Sequence, residues 1–405
     1  MTTTERLYYA DSHLVEFEAR VVAVSRDEGG RACVALDRTA FYPTGGGQPH
    51  DTGTLGAARV VECVEREDAG VLHVVEGAAP EAGAQVHGRV DWPRRLDHIQ
   101  QHTGQHILSQ AFVELFGAQT RSFRMMADAC EIDVDLRDPS DEKIERAADR
   151  ANEIIWDDRE VRVHSVTPEE AARMPLRKDS ARDGELRVIE IEGFDFSPCG
   201  GTHARRTGEV GVLAARQWER AKGLVRVTFV AGVRAVADYR RANRTARAVA
   251  ALFSTGRDEA ADAAARLQEE NKQLQRRLRV VEEVAARGEA RELVEEADAA
   301  ATGGGLRIVA RVFEGRDVDD LRRMATALAT HAGTIALLGS RDAGAARLVF
   351  ARAADAAGDM NALMREACQA LEGRGGGRAD MAQGGGPRAE KLPDVIEEAA
   401  RKVRG

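Results

Sequence analysis

Two short pairs of residues, about a hundred positions apart, constrain this chain more than any other feature. His102 and His106 lie in the stretch His98-Ile99-Gln100-Gln101-His102-Thr103-Gly104-Gln105-His106-Ile107-Leu108-Ser109. On a helix, side chains at i and i+4 stand on one face, and two imidazoles placed that way can grip one metal ion. Cys199 and His203 lie in Ser197-Pro198-Cys199-Gly200-Gly201-Thr202-His203, a loop rich in turn formers. A cysteine beside two glycines and followed by a histidine is a poor recipe for packed core and a good one for a loop that wraps a metal. Together the pairs supply four ligands of the types zinc takes. His98, four residues before His102, leaves a second i, i+4 pair open within the same helix.

Bulk properties narrow the class. At 405 residues, two or three domains are expected. The net charge of −9 advertises no global basic field for nucleic acid. Charge is nevertheless uneven: Arg216 to Arg247 holds nine Lys/Arg against Glu219 and Asp238. Cys33, Cys63, Cys130, Cys199 and Cys368 are scattered and odd in number, which is not a disulfide framework and points to a reducing interior. No apolar run approaches the roughly 20 residues that span a bilayer, so a cytoplasmic protein with no membrane partner is expected.

The expected fold class is α+β. Residues 1–95 read as short alternating strands, 14–21, 32–36, 60–64, 71–75 and 86–90, whose spacing suggests a small β-barrel. Within them lies Phe41-Tyr42-Pro43-Thr44-Gly45-Gly46-Gly47-Gln48-Pro49-His50-Asp51-Thr52-Gly53. Three consecutive glycines let backbone amides approach a ligand. The flanking aromatic and proline residues are not linker composition, and a phosphate loop's Gly-Lys-Ser/Thr ending is missing.

Residues 96–232 form the expected metal-binding α+β domain. The histidine helix runs over 97–116 and stops at Gly117. A helix over 141–156 takes Ser140 as N-cap without a capping box, since Lys143 stands where Glu or Gln would be needed. Strands at 131–136, 161–164 and 187–191, and a hairpin of 210–218 with 224–230, complete it. His164, on an alternating strand, reads as a structural or surface histidine.

Residues 233–302 read as a helical connector. Ala260, Ala264, Leu267, Asn271, Leu274, Leu278, Val281 and Ala285 step by four and three, which predicts a coiled-coil seam with Asn271 fixing register. An intrachain hairpin and a homodimer through the connector or the C-terminal domain are both open. Residues 303–405 read as a small α/β domain. Its two triplets, Gly375-Gly376-Gly377 and Gly384-Gly385-Gly386, suggest a backbone-lined groove for phosphate or nucleic acid beside Arg374 and Arg378.

Three of these motifs, in this order, resemble a known family. Phe41 to Pro49, His102-Thr103-Gly104-Gln105-His106 and Cys199-Gly200-Gly201-Thr202-His203 are similar to the editing domain of alanyl-tRNA synthetase. They are closer still to its free-standing relatives, the AlaX trans-editing proteins. The glycine triplets resemble the domain that ends alanyl-tRNA synthetases and accompanies DHH phosphoesterases. The chain begins at the editing module, so it looks like the long form of AlaX, expected to hydrolyse and not to synthesise aminoacyl-tRNA.

The resemblance implies Zn2+ held by His102, His106, Cys199 and His203. It implies hydrolysis of serine, or glycine, wrongly esterified to tRNA for alanine. It places Thr44 where a hydroxyl can tell serine from alanine, and Gln48 beside it in the reacting site. RNA contact is expected from Arg216, Arg220, Lys222, Arg374, Arg378, Gly384, Gly385 and Gly386. Ser122-Phe123-Arg124-Met125-Met126 departs from the family's Phe-His-Leu-Gly-like stretch, so no role carries over to Arg124. The alternative is an RNA-binding module whose zinc is purely structural. A phosphoesterase is disfavoured, because Asp97-His98 is followed by Ile99 where a metal cluster of that kind needs a second histidine.

Overall fold

The computed structural model describes residues 4–66, 70–178, 184–300, 306–342 and 344–404, with the side chains of 299 and 300 excepted. The chain divides into two compact units, residues 1–248 and 249–405.

The first unit begins with β1 (Glu16–Arg26), β2 (Ala32–Leu36), β3 (Gly53–Leu55), β4 (Ala58–Arg66), β5 (Gly70–Glu76) and β6 (Gln85–Val90). These six pair in the cyclic order β1-β2-β5-β4-β3-β6. Alternation explains the closure. In β6 and the first half of β1 every second residue is buried, so Phe17, Ala19, Val21, Val86 and Val90 face one interior with Val34, Leu36, Leu55, Val60 and Val75.

Chain reversal after β6 enters α1 (Trp92–Phe116), with proline in its first turn and Gly117 as a left-handed C-cap at φ 64°. Its middle is buried although it is polar. The polar groups are satisfied by backbone from other elements. Gln101 exchanges hydrogen bonds with the Ala231 carbonyl (2.8 Å) and amide (2.9 Å), much as a neighbouring strand would. Gln100 likewise donates to the Glu209 carbonyl at 3.0 Å and accepts from the Val233 amide at 3.1 Å. A helix with histidines on an inward face can therefore sit in a core with its buried glutamines paired.

Around α1 are β7 (Thr120–Met125), β8 (Cys130–Val134), α2 (Asp141–Trp156), β9 (Val161–Val166), β10 (Leu186–Ile191), β11 (Asp195–Pro198), β12 (Leu213–Ala221) and β13 (Leu224–Ala231). One sheet runs β12-β13-β8-β7 and another β9-β10-β11. Ser140 caps α2, accepting from the Lys143 amide at 3.3 Å. The apolar core lies between α1, α2 and these sheets, with Ile107, Leu108, Phe112, Ile132, Ile154 and Phe229 fully buried. The hairpin of β9 and β10 feeds β11, which delivers Cys199 to the polar face of α1. A helix α3 (Gly232–Leu252) follows β13.

In the second unit, α4 (Ala260–Ala300) leads to β14 (Arg307–Glu314), α5 (Val318–Ala329), β15 (Thr334–Asp342), β16 (Ala345–Arg352), α6 (Met360–Ala370), β17 (Arg374–Gly377), β18 (Met381–Gly386) and α7 (Leu392–Arg404). The sheet order is β14-β15-β16-β18-β17, with β14 and β15 parallel and the other pairs antiparallel. Among the described residues, no helix is long and apolar enough to cross a membrane.

Two parts of the expected architecture are corrected. The N-terminal strands close in the cyclic order given above, but they are not a compact unit by themselves. They are continuous with the metal-binding part in one compact unit, and α1 plugs into their loops through the fully buried Arg95. Its guanidinium donates to the carbonyls of Ser12 (2.7 Å) and Ala40 (2.5 Å) and to the Asp51 carboxylate (2.6 Å). The β3 strand was also absent from the reading, because Gly-Thr-Leu carries too little alternation to be recognised. Among the described residues no coiled coil is identified either. Leu267, Leu274, Leu278 and Val281 are exposed on α4, a single long helix whose apolar burial is confined to Ala260 and Ala263 at its start and to Ala286, Ala290, Leu293 and Val294 towards its end. Heptad spacing records which residues share a helix face and not whether another helix covers it.

Candidate metal centre

Two loops and one helix face meet at the site. His102 and His106 project from α1 one turn apart, their ring centroids separated by 5.4 Å. Cys199 and His203 come from the loop after β11. The His203 ring centroid lies 4.7 Å from each of the other two. The Cys199 Sγ is 3.3 Å from His102 Nε2 and 3.4 Å from His203 Nε2. One ligand atom from each of the four lies within 4.8 Å of every other. Ligands at about 2.0 and 2.3 Å from a tetrahedral ion stand roughly 3.3–3.6 Å apart, so the two sulfur–nitrogen separations match edges of such a tetrahedron. His98 is outside the group. It is buried, its Nδ1 lacks a protein partner, and burial pushes its pKa down to about 4. The ambiguity between the two i, i+4 pairs is thereby settled in favour of His102 and His106.

Two of the three ring nitrogens facing away from the cluster are held. His102 Nδ1 meets Gln48 Oε1 at 2.7 Å, which makes Nδ1 the protonated nitrogen and leaves Nε2 for the metal. Gln48 is fixed in turn, donating to Thr202 Oγ1 at 2.9 Å and accepting from the Thr202 amide at 3.2 Å. His106 Nδ1 meets the Asp195 carboxylate at 3.3 Å, and Asp195 also accepts from Arg177 Nε at 2.9 Å and from Ser197 Oγ at 2.9 Å. His203 Nδ1 is buried without a protein partner. The loop is clamped from behind by Arg187, which donates to the carbonyls of Cys199 (2.7 Å) and Gly201 (3.0 Å). Gly201 has to be glycine, since a Cβ there would stand 2.2 Å from His102 Cε1.

Electrostatics suit a cation. Burial pushes the Cys199 thiol up, but the adjacent His102 and His203 outweigh it and hold the thiol well below its usual range. Burial drives His203 down to about 3, towards the neutral form that ligates. For Asp195, burial raises the pKa, yet the hydrogen bond from His106 and the Arg177 charge bring it below the ordinary carboxylate value. Three imidazoles, a thiolate and a supporting carboxylate thus form a pre-assembled candidate metal-binding cluster.

The glycine-rich loop lies beside it. Gly47, at φ 81°, accepts from the Met125 amide at 2.9 Å, and a Cβ on Gly47 would stand 2.6 Å from the Phe123 carbonyl. Phe123 in turn packs against the His102 ring, centroids 5.3 Å apart and planes tilted by 44°. Gln48 is buried at the metal ligand, whereas Thr44 is exposed, its Oγ1 3.0 Å from His50 Nδ1. Asp195, Arg177 and Thr202 escaped the sequence reading. The signal for Asp195 was its place four residues before Cys199, but no spacing rule ties it to His106, 89 positions away.

Of the other candidates, Arg220 and Lys222 are exposed at the β12–β13 hairpin, and Arg216 pairs with Asp238 at 3.3 Å. Arg374 and Arg378 are exposed, Arg378 pairing with Asp380 at 3.1 Å. Gly384, Gly385 and Gly386 are residues of β18, paired with β16 and β17. Their lack of side chains is a packing requirement: a Cβ on Gly384 would lie 2.4 Å from Cys368 Sγ on α6. Arg124 is exposed and pairs with Glu131 at 2.7 Å.

Three family models match separate parts of the chain. They are the class II (A) tRNA synthetases over residues 2–94, the threonyl and alanyl tRNA synthetase second additional domain over residues 186–228, and the DHHA1 domain over residues 304–405. The alanyl-tRNA editing protein AlaX-L of Pyrococcus horikoshii is 38% identical over 241 residues, which is 57% of this chain and 59% of that protein. The alanine–tRNA ligase of Pyrobaculum neutrophilum is 36% identical over 300 residues, 68% of this chain and 32% of the ligase. That of Natronomonas pharaonis is 34% identical over 420 residues, 99% of this chain and 44% of the ligase. The chain thus spans between 32% and 59% of the length of these curated relatives. The solved C-Ala domain of Aquifex aeolicus alanyl-tRNA synthetase is 27% identical and covers 26% of this chain and 97% of its own, with a TM-score of 0.25. By motif and by sequence, this chain is an AlaX-type protein, related to the editing and C-terminal domains of alanyl-tRNA synthetase.

Proposed function

We propose that this protein is a zinc-dependent hydrolase that deacylates tRNA for alanine mischarged with serine, and secondarily with glycine. The observation that carries the reading is the convergence of His102, His106, Cys199 and His203, with two of the histidines fixed from behind, in a chain similar to a named alanyl-tRNA editing protein. These four residues would hold Zn2+, which when bound supplies Lewis acidity towards an ester or a water.

The chain's own residues supply the rest. Gln48 and Asp195 keep His102 and His106 in the ligating tautomer. Gly47 presents its backbone without a side chain to obstruct the aminoacyl ester. The exposed Thr44 hydroxyl pairs with the hydroxyl of serine. Alanine cannot make that bond, and a hydrogen bond is worth about 0.5–1.5 kcal/mol net. Arg216, Arg220, Lys222, Arg374 and Arg378, together with the backbone around Gly384 to Gly386, would meet the phosphates and shape of the folded RNA.

The four-donor set favours one other reading, because catalytic zinc commonly keeps a ligand position for water while structural zinc is closed. On that reading the protein binds RNA and the ion only staples the loop to α1. Deacylation of serine-, glycine- and alanine-charged tRNA by wild type and Cys199→Ala, with zinc content measured on both, separates the two. Serine release that disappears with the ion supports the hydrolase. Retained zinc in the wild type with no release of any amino acid supports the binding module.

A further inference from the structure

The glycine-rich loop contains a proton assignment that the metal cluster does not use. In β4 the ladder with β5 shifts register between Val60 and Glu62, so Val61 falls between the paired residues. Its carbonyl is turned to the imidazole of His50, 3.1 Å from Nε2. A carbonyl can only accept, so Nε2 carries the proton. Burial, followed by the charge of Arg94, pushes the His50 pKa down, which keeps the ring neutral and leaves Nδ1 as a bare acceptor. Nδ1 stands 3.0 Å from Thr44 Oγ1. The Thr44 hydroxyl must therefore donate inward to His50, and what its exposed oxygen offers outward is lone pairs. The backbone enforces the arrangement at both ends. The Thr44 amide donates to the Cys63 carbonyl at 3.1 Å, and Arg94 Nε donates to the His50 carbonyl at 2.9 Å.

We propose that His50 is a positioning residue that makes Thr44 a hydrogen-bond acceptor, so that the loop selects an aminoacyl group bearing a hydrogen-bond donor. This rests on the reading that Thr44 meets the aminoacyl group. It adds the direction of the bond, its origin in the bulge at Val61, and a residue on which selectivity depends without touching the substrate. A serine hydroxyl qualifies as donor, and an alanine methyl does not.

The test has two readouts. In wild-type protein labelled with 15N-histidine, and assigned by the signal lost in His50→Asn, the imidazole of His50 should be the Nε2–H tautomer; an Nδ1–H tautomer overturns the proposal whatever the activity. In deacylation assays, His50→Gln keeps an amide near Nε2 but removes the acceptor facing Thr44. Its serine-over-alanine preference should fall about tenfold, the size of one lost hydrogen bond. The double variant with Thr44→Val should be no less selective than either single one. His50→Asn, whose carboxamide oxygen can stand where Nδ1 stands, should keep most of the preference. An unchanged preference in His50→Gln, or losses that add in the double variant, overturns the proposal. Absence of deacylation in the wild type would instead sink the function proposed above, with the tautomer still deciding the direction of the Thr44 hydrogen bond.

Discussion

A hydrogen bond to one ring nitrogen fixes an imidazole's tautomer and orientation, and at His102 and His106 the partners are Gln48 and Asp195. Gln48→Ala should lower zinc affinity ten- to a hundredfold while the fold persists, read by competition with a chelator and by circular dichroism. Thr44→Val should reduce serine-over-alanine preference about tenfold with zinc content unchanged, because the residue touches no ligand atom. Two further histidines set an acid limit on stability. His73, between Thr39 and the Val34 carbonyl, and His98 are held neutral by burial, both with pKa pushed down from 6.5 to about 4. The unfolded chain binds those protons at higher pH than the folded one. Stability is thus intact above pH 6.5 and declines as pH falls towards 4, by about 1.4 kcal/mol per unit for each proton. Denaturant unfolding followed across that window checks the slope, and a flat profile would contradict the assignment.

Among the elements, the pair β17 and β18 shows that a motif singled out by its glycines also answers to packing. The glycine triplets lie on adjacent strands, with Gly375 and Gly384 against Cys368 of α6. Gly375 and Gly384 have Cα atoms so close across the ladder that a Cβ on either would approach the other's Cα within 2.7 Å. Gly384→Ala should destabilise the second unit by about 1–3 kcal/mol through overpacking against Cys368, measured as a lower thermal midpoint. The histidine helix was the opposite case. Its four-residue spacing was legible because it is local to one helix. Its burial was not, since that depends on Gln100 and Gln101 finding backbone partners more than a hundred residues away. The α4 stripe was legible as a helix face, but its exposure could not be read from spacing.

For the whole molecule, the division after residue 248 leaves the metal cluster, the glycine-rich loop and the β12–β13 hairpin within one unit. A fragment of residues 1–248 should keep the serine preference and its zinc, while binding tRNA more weakly and with a shallower salt dependence. Equal affinity and equal salt slope for fragment and full chain would remove Arg374, Arg378 and the glycine strands from the RNA contacts.

What the sequence determined by itself was chemistry carried by short spacing: two histidines one turn apart, a cysteine and histidine in a turn-rich loop, and a glycine run bounded by aromatic and proline residues. Those patterns are set by helix periodicity and by the steric freedom of glycine, both local. The tertiary structure decided which histidines share the cluster, which carboxylate supports His106, which way the Thr44 hydroxyl points, and which apolar stripe stays uncovered. Each of these depends on contacts between residues distant in sequence, such as His106 with Asp195 and Gln48 with Thr202. No local period encodes such contacts, because they exist only once the core has closed around α1.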